Sequence, residues 1–273
     1  MALHYNDPCM PVKALSLTTH VSAWLSSSAQ PRVLHVFDQA CNLINKRQEV
    51  LSVVTARIGE GPFNLVIDDG HSYFDDLSAQ SPVSFSGTRL QLGKLIIHTA
   101  GAKVWNPRPD WETLHAYKSE FAIQRSHIQI TNFSPQIFQF ATSLTLSLAT
   151  SNFSDSLTAA QKLAGLGQGL TPSGDDFLMG ALYAAWIIHP PEIASELANE
   201  IANTAVPLTT SLSAAWLSSA GRGEAGILWH EFFDALVVGD ELRIKESVEK
   251  ILAVGETSGA DALAGFVGVF SAD

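Results

Sequence analysis

The stretch from Gly165 to Gly180, reading Gly-Leu-Gly-Gln-Gly-Leu-Thr-Pro-Ser-Gly-Asp-Asp-Phe-Leu-Met-Gly, concentrates residue types that hold small polar ligands. Part of it recurs 85 positions later: Ser173, Gly174, Asp176, Leu178 and Gly180 are matched by Ser258, Gly259, Asp261, Leu263 and Gly265. Each copy has a threonine just upstream, Thr171 or Thr257. A Ser-x-x-Asp ahead of an apolar run is a capping box, which satisfies the orphan amides of a helix start. Glycines before such a start leave N–H groups bare at the positive end of the helix dipole, and that combination favours anions. Two such starts facing each other would form an anion-binding cleft.

Residue by residue, Gly167, Gly169, Thr171, Ser173 and Gly174 of the first copy and Thr257, Ser258, Gly259 and Asp261 of the second are the candidates for binding an anionic substrate. Asp176 repeats as Asp261, which fits the third helical position of a capping box. Asp175 is replaced by Ala260 in the second copy, so its carboxylate is the one expected to be free for chemistry. Adjacent carboxylates can also hold Mg²⁺ with further oxygen ligands, so that ion is the cofactor alternative. Arg222, between Gly221 and Gly223, has the planar guanidinium that clamps carboxylate or phosphate. Arg108, between Pro107 and Pro109, could reach the same cleft from a hinge. The competing reading makes the motif a glycine-rich turn joining two packed helices, with Ser173 and Asp176 as cap. No Lys follows the glycines as in a phosphate-binding P-loop, and no βαβ unit surrounds them as in a dinucleotide fold. The nine histidines show no metal-binding spacing, and no G-x-S-x-G elbow marks a nucleophile.

The elements that must position these residues divide the chain. From Arg32 to Trp105, short β-branched or aromatic runs at 33–37, 50–55, 63–67, 83–85, 89–92, 95–98 and 102–105 alternate with glycine breaks. They predict an antiparallel sheet or small barrel, with one helix over Pro11–Ser27 ahead of it. Pro107 and Pro109 then interrupt regular structure. Beyond them the apolar period is helical: Ser134-Pro135 opens one helix, others follow at 155–164, 173–189, 192–203, 209–219, 225–236 and 240–253, and the second motif copy opens the last. The expected fold is α+β: a β-rich domain over 1–110, then an all-α domain over 111–273 with an internal motif repeat.

Composition narrows the function classes. Apolar residues reach 46% against 16% charged, enough for a core and for apolar surface covered by a partner. The net charge of −11 lies wholly beyond Asp110, since through that residue nine Lys/Arg balance nine Asp/Glu. An acidic helical part argues against a nucleic-acid surface, so any anion must be held locally. Two cysteines, Cys9 and Cys41, make no disulfide framework and predict inert thiols in a reducing cytoplasm. The N-terminus does not read as a signal peptide, and the apolar run Phe177–Ile188 is too short to span a membrane, so it reads as a buried central helix.

With Gly167–Gly180, Val104–Pro109 and Thr257–Asp261 in hand, the chain resembles a bacterial family long catalogued as a domain of unknown function. That family includes the small subunit associated with oxamate carbamoyltransferase in allantoin breakdown. The likeness covers most of the chain, and the G-L-T-P-S-G-D-D block is its most specific part. It implies a part in moving a carbamoyl group between oxalurate and phosphate, giving oxamate and carbamoyl phosphate, within a multi-subunit complex. Some relatives carry a carboxylase label. On this resemblance Gly169, Thr171, Ser173 and Gly174 bind the anion, Asp175 orients the substrate amide or a metal, Arg222 clamps a carboxylate, and Asp175, Asp176 and Arg222 are the catalytic candidates. The alternatives are a non-catalytic scaffold and a small-anion-binding subunit. The chain lacks the Ser-Thr-Arg-Thr phosphate loop of aspartate-type carbamoyltransferases and is no variant of that fold.

Overall fold

The computed structural model describes residues 10–27, 30–70, 73–124 and 137–272. Cys9 and the Ser134-Pro135 helix start lie outside them. The chain divides into two compact units, 1–107 and 108–273, so Arg108 belongs to the helical one.

The first unit is a nine-stranded sheet with one helix. Its strands are β1 (Met10–Leu17), β2 (Arg32–Phe37), β3 (Ala40–Ile44), β4 (Val50–Thr55), β5 (Asn64–Ile67), β6 (Val83–Ser86), β7 (Arg89–Leu92), β8 (Leu95–His98) and β9 (Lys103–Val104). They run in the order β2-β3-β4-β5-β1-β8-β7-β6, with β9 also on β1. The sheet is mixed where an antiparallel one was expected. β4–β5, β1–β8 and β1–β9 are parallel, and the other pairs are antiparallel. Two of the three parallel pairs are made by β1, which inserts between segments that come much later in the chain; its register against β5 shifts between Ala14 and Ser16, the stretch over which it passes from β8 to β9.

The expected helix over Pro11–Ser27 is therefore corrected to a strand followed by α1 (Thr19–Ser26). Val12, Ala14 and Ser16 are buried while Pro11, Lys13 and Leu15 are exposed, which is the two-residue period of a strand. The switch falls at Thr18, whose hydroxyl caps α1 by accepting from the Val21 amide at 3.1 Å and donates to Pro62 O at 2.8 Å. Val21, Trp24 and Leu25 of α1 pack with Leu43, Leu51, Leu65 and Ile97 in the core of this unit. Cys41 is buried there, and desolvation pushes its thiol up to about 12, so it stays protonated and inert.

The second unit is helical throughout its described residues: α2 (Trp111–Ala116), α3 (Lys118–Gln124), α4 (Phe138–Ala149), α5 (Phe153–Leu163), α6 (Ser173–Ile188), α7 (Pro191–Ala205), α8 (Ser211–Gly221), α9 (Ile227–Val238), α10 (Glu241–Leu252) and α11 (Ser258–Ala272). Its centre is α6, whose residues from Gly174 to Ile188 are all buried except Met179. A helix apolar on every side must be surrounded by others, and α11 makes the most extensive contact with it.

That contact is reciprocal. A Cβ on Gly180 would lie 1.7 Å from Ala262 O, and one on Gly265 would lie 2.0 Å from Phe177 O. The contacting residues are related by the same offset as the motif, so the two helices cross about a local pseudo-twofold. Each glycine costs its helix about 1 kcal/mol relative to alanine, and in return the backbones approach with no side chain between them. Gly180→Ala and Gly265→Ala must push the helices apart. Each is expected to lower stability by about 3 kcal/mol, read as a fall in the midpoint of thermal or urea unfolding.

Candidate functional site

The backbone contact brings the N-termini of α6 and α11 together, as the repeat suggested. Thr171 Oγ1 and Ser258 Oγ lie 2.9 Å apart. The capping box is not what forms there. Ser173 is the first helical residue rather than the cap, and the cap position is Pro172, which offers no side-chain acceptor. The motif side chains serve the opposite copy instead. The Asp176 carboxyl interacts with the hydroxyl of Ser258 and, less, with that of Thr171. The Asp261 carboxyl interacts with the hydroxyls of Ser173 and Thr257.

The bare amides expected at the two glycines are also corrected. Gly174 N donates to Leu166 O at 2.8 Å and Gly259 N to Val254 O at 3.1 Å. Both glycines are required by packing: a Cβ would lie 2.1 Å from Leu163 O in one case and 1.8 Å from Ile251 O in the other. In each copy the carbonyls at the end of the preceding helix, α5 or α10, close onto the next helix start. The sequence repeat is thus a repeat of two helical hairpins.

Open backbone is found one loop earlier. Residues 167–170 are exposed. Gly167 and Gly169 have φ of 125° and 92°, a region L side chains rarely adopt. A Cβ on Gly167 would meet Ser173 N at 2.8 Å, whereas one on Gly169 would meet nothing within 4 Å. Thr171 is half-buried and joins this loop to the carboxyl network beneath it.

Three carboxyls lie under the tips. Asp175, Asp176 and Asp261 are 2%, 6% and 1% exposed. Asp175 is not the free group the sequence suggested. It accepts from Gly165 N at 2.8 Å and from the Thr209 hydroxyl, tying the end of α5 to the segment before α8. Burial raises the Asp175 carboxyl, against these hydrogen bonds. Asp176 and Asp261 are the less satisfied pair: Oδ2 of each is buried without a hydrogen bond. Desolvation pushes Asp176 up to about 8, helped by the charges of Asp261 and Asp175 and opposed by the hydroxyls. Asp261 is raised by burial as well.

The two arginines do not join the tips. Arg108 stacks its guanidinium 4.8 Å from the Trp186 ring centroid and donates to Arg222 O at 2.7 Å. Trp186 is 13 residues along α6 from Ser173, about 20 Å at 1.5 Å per residue. Arg222 pairs with Glu224 at 2.7 Å and also donates to Ser219 Oγ at 3.2 Å. An aromatic cluster of Trp111, Tyr183, Trp186, Trp229 and Phe233 fills that end of the helix. Among the described residues no three His, Cys, Asp or Glu side chains group to hold a metal ion. Thr209, which the sequence offers together with Thr210 and Ser211 as a further helix start near the cleft, anchors Asp175, although nothing in its spacing links it to a motif 34 positions earlier.

A mixed β unit is followed by a helical unit whose glycine motif is duplicated across a buried polar core. Two family models match the chain: oxamate carbamoyltransferase subunit AllH over residues 163–270, and the AllH family N-terminal domain over 13–104. The chain belongs to the AllH family and is a subunit of a carbamoyltransferase, which implies other subunits in the complex. No solved structure matches it. Nothing in these matches supports the carboxylase label. Among the described residues no helix is long and apolar enough to cross a membrane.

The raised carboxyls carry a sign for stability. A buried acid whose folded pKa exceeds its unfolded one stabilises fully below pH ~4. That contribution is lost as pH rises towards about 8. Unfolding midpoints should therefore fall between pH 5 and 8, and Asp176→Asn should flatten the slope, as thermal melts across that range would show.

Proposed function

We propose that this chain binds the carbamoyl-bearing substrate of an oxamate carbamoyltransferase, converting oxalurate and phosphate to oxamate and carbamoyl phosphate within its complex. One observation carries the reading: the two motif copies meet in a single polar core directly under the exposed loop 167–170. Oxalurate and carbamoyl phosphate present both anionic oxygens and an uncharged amide edge. The loop offers unhindered backbone at Gly169, able to receive the anionic end through its amides. The hydroxyls of Thr171, Ser173, Thr257 and Ser258 both donate and accept, which matches the amide end. An acid held protonated near neutral pH adds a donor that an ordinary aspartate lacks.

A tetrahedral oxyanion forms when phosphate attacks the carbamoyl carbon, and fixed donors would stabilise it without an enzyme nucleophile. Asp175 acts here as the strut that sets the loop, and Asp176 as the acid below it. The alternative, a scaffold that only assembles partner subunits, is favoured by one fact: the Gly174 and Gly259 amides are already hydrogen-bonded within the protein.

The test is oxalurate phosphorolysis by the complex purified through a tag on this chain. Thr171→Val should lower kcat/KM about tenfold, the loss of a hydrogen bond worth about 1.4 kcal/mol, while the complex still assembles. Unchanged kinetics in an assembled Thr171→Val complex would favour the scaffold.

A further inference from the structure

The polar core sets a buried acid near two hydroxyls that lead towards the surface, taken alternately from the two motif copies. Asp176, of the first copy, faces the hydroxyl of Ser258, of the second. Ser258 Oγ lies 2.9 Å from Thr171 Oγ1, of the first. Thr171 is half-buried and adjoins the exposed loop 167–170. At the inner end, Asp176 Oδ2 is buried with no partner, so the carboxyl is not locked into a closed network. Asp261 likewise leaves Oδ2 unpartnered. A structural acid serving packing alone would be expected to satisfy both oxygens, because an unmet buried acceptor costs about 1–3 kcal/mol.

We propose that Asp176, Ser258 and Thr171 form a proton relay that delivers a proton to the nitrogen departing from the carbamoyl group. The inference rests on the carbamoyl-transfer reading above. Carbamoyl transfer to phosphate makes a C–O bond and breaks a C–N bond. Expelled as an anion, an amide nitrogen is a very poor leaving group, so it must gain a proton as the bond breaks. In the relay the Thr171 hydroxyl gives its proton to the nitrogen and takes one from Ser258, which takes one from Asp176. Asp176 is left as the carboxylate. The proton of hydrogenphosphate, lost as its oxygen becomes the carbamoyl ester, restores the acid by the reverse path. Atoms and charge balance without a further reactant. Thr171 is the group that meets the substrate, while Ser258 and Asp176 act through it.

The surroundings of Asp176 suit this role. The charges acting on it are Asp261, from α11, and Asp175, on its own helix, both of which disfavour ionisation. Burial, aided by these like charges, keeps the acid loaded up to about pH 8, where an ordinary aspartate would have been ionised several pH units lower.

The test compares pH profiles of oxalurate phosphorolysis by the intact complex carrying wild-type chain, Asp176→Asn, Ser258→Ala or Ser258→Thr. The wild type should lose rate above about pH 8, following deprotonation of the acid. Asp176→Asn keeps the shape but not the proton, and should lower kcat by about 100-fold and abolish that alkaline limb. Ser258→Ala should lower kcat comparably with Asp176 still in place, and Ser258→Thr should restore most of it, which a packing role for the hydroxyl would not require. If Asp176→Asn fails to fold, the Ser258 pair decides. An alkaline limb unchanged in folded Asp176→Asn, or kcat unchanged in Ser258→Ala, overturns the relay and leaves the carbamoyl-transfer reading standing. No turnover of oxalurate by the wild-type complex overturns both.

Discussion

The backbone-to-backbone contact between α6 and α11 is the constraint on which the helical unit depends. Gly180 and Gly265 remove the side chains that would hold the helices at their usual 8–10 Å separation, and each receives a carbonyl of the other helix. Because the contact is reciprocal, the two helix starts are brought level as well as close. Cross-pairing of Asp176 with Ser258 and of Asp261 with Ser173 then follows from the symmetry. Gly174 and Gly259 repeat the device six residues earlier, admitting the closing carbonyls of α5 and α10. Four glycines therefore leave a small polar space surrounded by backbone.

Electrostatics in that space runs against the simplest view of a helix N-terminus. The dipole favours a carboxylate in the first turn. Here the loss of solvent outweighs it, and the three aspartates shift upward. The result is local: Asp175 has two strong partners and works as a tie, whereas Asp176 has hydroxyls on one side and like charges on the other. Neighbouring residues of one type are thereby given different work.

The two ends of α6 are chemically distinct. Its start is polar and lies under an exposed glycine loop. Its other end is aromatic, with Arg108 laid on Trp186 and Arg222 neutralised by Glu224. The basic residues that the sequence offered as anion clamps thus brace the distal end, where Arg108 holds the carbonyl at the end of α8. Membership of a carbamoyltransferase subunit family places this division of labour inside a larger assembly.

The amino-acid sequence by itself determined the two-part architecture, the helices and the existence of a duplicated motif, because apolar periodicity and turn residues are local signals. It missed β1, whose alternation is short and overlaps a helix start, and β3, whose Cys41-Asn42 centre lacks β-branched residues. Its motif pair contains Thr171, Ser173, Asp176, Ser258 and Asp261, but local spacing assigned them partners within their own copy. A capping box is the local use of Ser-x-x-Asp, but Pro172 and the opposing helix redirected both side chains across the interface. Only the tertiary structure decided that exchange, since it depends on two backbones meeting 85 residues apart, and no spacing within either copy encodes which amides are already satisfied or which carboxyls lose water.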